Sequence, residues 1–418
     1  MNMKRMLSVM MVLTLVISML AGCTSGSEPE GPVEITVWEQ MDPSAQEVFD
    51  KIAEAFMAEN PNITVTRNHY ETEELRTTFQ SSALAGQGPE LVYGPNDNVG
   101  IFTVSGLLRP VDEVVSADFL GKLDSNAIDA GVVDGKKWMI PDINGNQIAL
   151  LYNKDMVEKA PETWEELVAM ATPHQNIDPA NPEESTYGLL YNEREPFWFI
   201  AFYGGYGGRV FDADLNPTLD NDAMVKALQF VVDLKQKDGL GDVEMNYDIA
   251  DSLFKQGKAA FIFNGAWSWK SYMDEGMNIG IAPYPKLPGG DRGLPTNATK
   301  GYMISKFMDD SKKEAVATFL DFALNAENNA DYALANSQSP TNLDAMKLDK
   351  VTSNELMQAS VETIKYTTPM PIVPEMRAIW DAMRPELEAV IAGDITPEEA
   401  AKNMQVRAEE GIKTIRGE

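Results

Sequence analysis

The chain has 418 residues, among them 34 Lys or Arg, 64 Asp or Glu, two His and one Cys, for a formal net charge of −30 at pH 7. A field this acidic repels nucleic acid and anionic head groups, and one cysteine excludes an intramolecular disulfide. The two histidines, His69 and His174, stand far apart in polar stretches, which argues against a zinc site or a histidine-based triad.

Residues 1–22 read as a signal peptide: Lys4 and Arg5 are followed by an apolar run over 6–21 that is short for a permanent bilayer span. The run closes on Leu20-Ala21-Gly22-Cys23, which resembles the lipobox of bacterial lipoproteins. That resemblance implies acylation of Cys23 and a stable lipid anchor on the cell membrane. Residues 23–32, rich in Ser, Gly, Glu and Pro, read as a flexible tether. The remaining length exceeds what one core usually fills, so two domains are expected.

Val33, Ile35 and Val37 alternate with polar neighbours as a strand. Asp42-Pro43 opens a helix carrying Val48, Phe49, Ile52 and Phe56 on one stripe, and Asn60-Pro61 stops it. A strand over 63–65, a helix over 72–84 and a strand over 90–93 follow. The alternation predicts a mostly parallel α/β sheet. It returns with a strand over 148–152, helices over 164–171 and 221–237, and a buried strand over 259–263. Two α/β units predict two facing lobes. Between them Pro141-Asp142-Ile143-Asn144-Gly145-Asn146 reads as a crossing with a hinge, and the tail over 375–415 as folded helix with caps at Pro374 and Thr396-Pro397.

No phosphate-binding GxxxxGK[ST] loop or GxSxG nucleophile elbow occurs, and the glycines at 204, 205, 207 and 208 read as a turn, not a dinucleotide fingerprint. No catalytic residue, metal site or cofactor is assigned. The informative signal is aromatic: Trp198 beside Glu195 and Phe197, Trp267 and Trp269 after Asn264, and Trp380 beside Asp381. Sugar rings present C–H faces rimmed by hydroxyls, so a sugar receptor needs flat aromatic platforms next to planar polar groups. Trp269 reads equally well as core, and Trp38, Trp138 and Trp164 are assigned to packing.

With these motifs the chain resembles the extracellular solute-binding proteins of ABC importers, and within them the maltose/maltodextrin-binding proteins. The resemblance runs through Trp38, Asn96-Asp97, Tyr152-Asn153-Lys154-Asp155, Glu162-Thr163-Trp164-Glu165-Glu166, Glu195-Pro196-Phe197, Asn264-Gly265-Ala266-Trp267 and Pro369-Met370-Pro371 to Arg384. It implies an α/β fold of the two-lobed periplasmic-binding-protein type (type II), with a hinge and a ligand cleft between an N-lobe, 33–143 plus 298–348, and a C-lobe, 144–297 plus 349–418. Ligand-binding residues carried over are Asp97, Glu195, Phe197, Trp267, Trp380 and Arg384, with Glu39, Asp42, Asn146, Trp198 and Met370 beside them. Departures are Gly94 where an aromatic is frequent, Asn98 for a basic residue, Asn146 for an acid and Asp381 for an aromatic, which leave sugar linkage and length open.

The expected function is therefore capture of oligosaccharides, foremost maltodextrins, by a monomeric lipoprotein that closes around the sugar and presents it to ABC importer permeases, without catalysis and without nucleic acid. The expected location is extracytoplasmic, on the outer face of a single-membrane cell or the periplasmic side. Rival readings are a receptor for another oligosaccharide class, a secreted carbohydrate-active hydrolase and an adhesive surface module.

Overall fold

The computed structural model describes residues 31–178, 180–240 and 245–418; the signal segment, Cys23 and the tether through residue 30 lie outside the described residues. The chain opens with β1 (Val33–Glu39), α1 (Pro43–Glu59), β2 (Ile63–His69), α2 (Thr72–Leu84), β3 (Leu91–Pro95) and α3 (Asp97–Val104). It continues with β4 (Met139–Asn146), β5 (Ile148–Asn153), α4 (Trp164–Ala171), β6 (Tyr187–Leu190), α5 (Pro196–Gly205), α6 (Asp222–Gln236) and α7 (Tyr247–Lys255). Then come β7 (Ala259–Gly265), α8 (Ala266–Asp274), β8 (Ile279–Ala282), β9 (Thr296–Ile304), α9 (Lys313–Ala323) and α10 (Ala326–Ala335). The last elements are β10 (Ser339–Pro340), α11 (Glu355–Ile364), β11 (Thr368–Pro369), α12 (Met376–Ala392) and α13 (Pro397–Arg416).

Two sheets organise these elements. The first has the order β10-β4-β9-β3-β1-β2, with β11 added beside β9; the second has the order β8-β5-β7-β6. β1 is parallel to β2 and β3, and β6 to β7, but β9 is antiparallel to both β3 and β4, and β5 to β7. The expected mostly parallel sheet is thus corrected to a mixed one. The reason is connectivity: β4 carries the chain out of the first sheet and β9 brings it back, and a strand returning beside the one that left runs against it.

Each sheet carries cores on both faces. Beneath the first, Ala45, Phe49, Ile52, Ala53 and Phe56 form the buried stripe of α1, spaced for one face of a helix. Phe49 and Phe56 meet Phe319 of α9 edge-on at 6.1 and 5.3 Å between ring centroids. On its other face Leu75, Phe79 and Phe102 pack with Val92 and Met303. One face of the second sheet packs α4, α5 and α6 together with α12 and α13, and the other packs α7 and α8. The tail is two helices: α12 ends at Gly393 in the left-handed conformation, and α13 starts at a capping box of Thr396 and Glu399.

The polar crossing segment 141–146 is extended strand. It is the second half of β4, buried except at the half-buried Asn144, and paired to β9 and β10. The glycine-rich stretch closes α5, which ends at Gly205.

One glycine joins the two halves. A Cβ on Gly100 of α3 would stand 2.3 Å from the Ile372 carbonyl oxygen and 2.6 Å from the Pro374 nitrogen, backbone atoms leading into α12. Gly100→Ala is expected to lower stability by about 1–3 kcal/mol, because the obstacle is main chain and cannot rotate away. Urea unfolding of variant and parent would measure it; equal midpoints and slopes would mean that the helices separate freely.

Candidate ligand-binding site

A cleft of about 510 Å³ lies between the sheets, within the range of small-molecule sites. Its position follows from strand polarity. The C-terminal ends of the parallel strands β1, β2 and β3 deliver the turns at Gln40 to Asp42, Tyr70 to Glu73, and Pro95 to Asp97, where open α/β sheets receive ligands. The second sheet supplies the opposite wall through helix starts: Glu195, Phe197 and Trp198 at α5, Tyr247 at α7 and Trp267 at α8. Met370 and Trp380 come from the segment before α12 and from its first turns, and Asn146 and Lys300 from the crossing strands.

The aromatic wall is held by hydrogen bonds at its back. Trp198 Nε1 donates to the Phe263 carbonyl at 2.8 Å, which fixes its ring perpendicular to Trp267, 5.9 Å away and 83° inclined. Phe197 lies 6.4 Å from Trp267 at 36°. Trp267 Nε1 donates to the Tyr247 hydroxyl at 2.9 Å, and that hydroxyl donates across the cleft to Asp42 Oδ1 at 3.2 Å. Asp42 precedes α1 but caps none of its amides, which leaves the carboxylate available to the cleft.

A second bridge joins Trp380 Nε1 to Asp97 Oδ2 at 3.2 Å. Among the described residues the other oxygen, Asp97 Oδ1, is buried without a partner, as is Gln40 Oε1. Unpaired buried acceptors are costly, so these two oxygens mark where ligand hydroxyls are wanted. Burial raises the Asp97 carboxyl above its ordinary pKa, opposed by the Trp380 hydrogen bond. Burial likewise raises Asp42 against Lys300, and Glu195 against Arg384.

At one end of the cleft Glu73 of α2 pairs with Arg377 at 3.0 Å and Arg384 at 3.5 Å, and Arg384 pairs with Glu195. Burial would raise Glu73, but Arg377, Arg76 and Arg384 together hold it below its ordinary value. These bridges tie the two walls together through groups that a ligand can also contact.

Of the residues expected from sequence, Asp42, Asp97, Asn146, Glu195, Phe197, Trp198, Trp267, Met370 and Trp380 line this one cleft. Arg384 stands behind Glu195 as its counter-charge. Glu39 does not reach the cleft: it is 0 % exposed, held by the Met41 amide, by Arg67 at 3.0 Å and by His69 at 3.2 Å. It braces the turn that carries Gln40 and Asp42. Trp269 is core, 0 % exposed.

Sequence reading missed Gln40, Glu73, Tyr247 and Lys300, which also line the cleft. A Cβ on Gly94 would stand 3.5 Å from Gln40 Oε1, so the room left by the absent aromatic is taken up by a glutamine from another strand end. Asp381, also a departure, pairs with Arg377. Among the described residues no cluster of His, Cys, Asp and Glu is arranged to hold a metal ion, and no helix is long and apolar enough to cross a membrane.

A model of the bacterial extracellular solute-binding proteins matches residues 51–359. The chain is similar to the maltose/maltodextrin-binding domain of Bdellovibrio bacteriovorus, solved bound to maltotriose, with 37% identity, a TM-score of 0.86 and coverage of 91% of this chain and 100% of that one. It is 27% identical to the galactooligosaccharide-binding protein of Bacillus subtilis over 99% of both chains. It is 25% identical to the maltooligosaccharide ABC transporter solute-binding lipoprotein of Streptococcus pneumoniae, over 80% of this chain and 79% of that one.

Proposed function

The chain belongs to the bacterial extracellular solute-binding proteins, a family that binds solutes without transforming them and here has the two-lobed type II fold, and from that premise we propose that it captures maltodextrins for an ABC importer. One observation carries the reading: Trp267, Trp380 and Phe197, with Glu195 beside them, face the carboxylates of Asp42 and Asp97 across a single cleft. Flat apolar faces for sugar rings and charged acceptors for their rims are thereby presented from opposite lobes.

In this proposal the lobes are 33–143 plus 298–348 and 144–297 plus 349–418, hinged where β4 and β9 cross. Sugar contacts made by both lobes favour the closed form, which the permeases read. Asp97, Glu195, Phe197, Trp267 and Trp380 contact the sugar, Asn146 and Met370 line its bed, Trp198 supports the platform, and Arg384 sets the charge of Glu195. Cys23 carries the lipid anchor that keeps a monomeric receptor beside its importer outside the cytoplasm.

Calorimetric titration of residues 24–418 against maltotriose, cyclodextrin and galacto-, cello-, xylo- and manno-oligosaccharides, with product analysis, tests this. Uncleaved α-glucans are expected to bind most tightly. The galactooligosaccharide-binding relative makes that series the second reading, favoured if it outcompetes maltotriose. Glu195→Ala is expected to weaken binding about 10- to 100-fold, the scale of a charged hydrogen bond. Product release by the parent protein would end the receptor reading.

A further inference from the structure

Lys300 is a buried cation without a counter-ion in contact. It is 6 % exposed and lines the cleft. Among the described residues its ammonium makes no hydrogen bond and no ion pair within 4.0 Å; it stands over Trp267, 5.2 Å from the ring centroid. A largely buried lysine with no protein partner for its ammonium keeps those donors for what occupies the cleft, and the cation–π contact offsets only part of its lost hydration.

The backbone is shaped to place it there. β9 slips register against β4 between Ala298 and Thr299, and again between Lys300 and Gly301, so the lysine is bracketed by two irregularities. Bulges of this kind re-aim a side chain next to a binding site. Gly301 makes the second one feasible, since a Cβ there would stand 2.2 Å from the Ile140 carbonyl oxygen. Asp42, on the same lobe and across the cleft from Trp267, supplies negative field at Lys300: burial, the larger effect, lowers the Lys300 pKa, while the Asp42 charge raises it. The two groups face the cleft as a separated donor and acceptor beside one aromatic platform.

We infer that Lys300 is a specificity-determining ligand contact: its ammonium donates to a hydroxyl of the sugar ring stacked on Trp267, while Asp42 accepts from the neighbouring hydroxyl of that ring. This rests on the receptor reading above. It selects a ring with two free adjacent hydroxyls at that end of the cleft, because a lysine can only donate and a carboxylate can only accept.

Lys300→Met keeps the stem and removes the charge. Titrated with maltotriose, it is expected to bind about 10- to 100-fold more weakly than the parent, with an unfolding midpoint equal to or above the parent's. Lys300→Gln, which retains a neutral donor, is expected to fall between them. Against maltotrioses deoxygenated one hydroxyl at a time, the parent loses affinity at the position that Lys300 contacts, and the Met variant loses little more there. Binding within twofold of the parent in both variants would overturn the inference. So would weakened binding accompanied by a lower midpoint and no coupling to any hydroxyl, which marks a structural lysine. If the parent binds no oligosaccharide at all, the receptor reading fails first and the inference with it.

Discussion

Trp267→Ala is expected to weaken maltotriose binding by about 30- to 1000-fold, the range for a central tryptophan in a desolvated contact. Three features place this residue above the other aromatics. Its ring is edged by Trp198 and Phe197, so it is oriented before ligand arrives. Its indole nitrogen reaches Asp42 on the opposite lobe through Tyr247. Its face is shared with Lys300. Losing the ring therefore removes a stacking surface, loosens one bridge between lobes and strips the lysine of its aromatic support. Trp267→Phe keeps a smaller face without the indole donor and should fall between. Calorimetry on both variants, with circular dichroism to establish folding, gives the answer; a loss below about threefold for the alanine variant would place the sugar elsewhere.

The second large effect concerns the crossing strand. Asp142 in β4 is 2 % exposed, and Asn329 donates to its Oδ1 at 2.6 Å. Among the described residues no cation is paired with it, and burial pushes its pKa from 3.8 to about 7, against the hydrogen bonds of Asn329 and Tyr93. The folded protein therefore holds a proton that the unfolded chain releases over that interval. Stability contributed by the protonated group is complete below the unfolded value, declines as pH rises through the folded value of about 7, and is flat above it, a span on the order of 4 kcal/mol.

Asp142→Asn retains an acceptor for Asn329 and cannot ionise. It is expected to match the parent at about pH 4, to exceed its stability increasingly up to about pH 7, and to keep a constant margin above that. Raised carboxyls in the cleft, Asp42, Asp97 and Glu195, tilt both proteins the same way, so the difference between the two urea-derived curves isolates Asp142. Parallel curves would mean that the carboxyl stays charged in the folded protein.

Local pattern carried much of the fold. The stripe Phe49, Ile52 and Phe56, the break at Asn60-Pro61 and the cap at Thr163 place α1 and α4 with no help from their neighbours, because 3.6-residue periodicity and capping chemistry are local. The sheet order was not legible. That β9 lies between β3 and β4, and makes the first sheet mixed, depends on pairing between residues more than 150 positions apart, such as Asn144 with Thr299. That the crossing segment 141–146 is strand was not legible for the same reason: its side chains are polar, while its backbone is satisfied by partners remote in sequence.

The site divides along the same line. Tryptophans next to acids announced a carbohydrate surface, since few structural needs put indoles beside Glu195, Asn264 and Asp381. Tyr247 and Lys300 announced nothing, each being an ordinary residue at a helix start or in a strand. Glu39, adjacent to the cleft in sequence, points the other way, because β1 alternates and its odd positions face the core.

The sequence by itself determined which residues have the chemistry to hold a sugar and which segments form helices and strands, because residue type and periodicity are written locally. Only the tertiary structure decided which of those residues share one cleft, which pair with each other across it, and that a lysine is buried there, because strand register and lobe apposition are set by the sum of distant contacts.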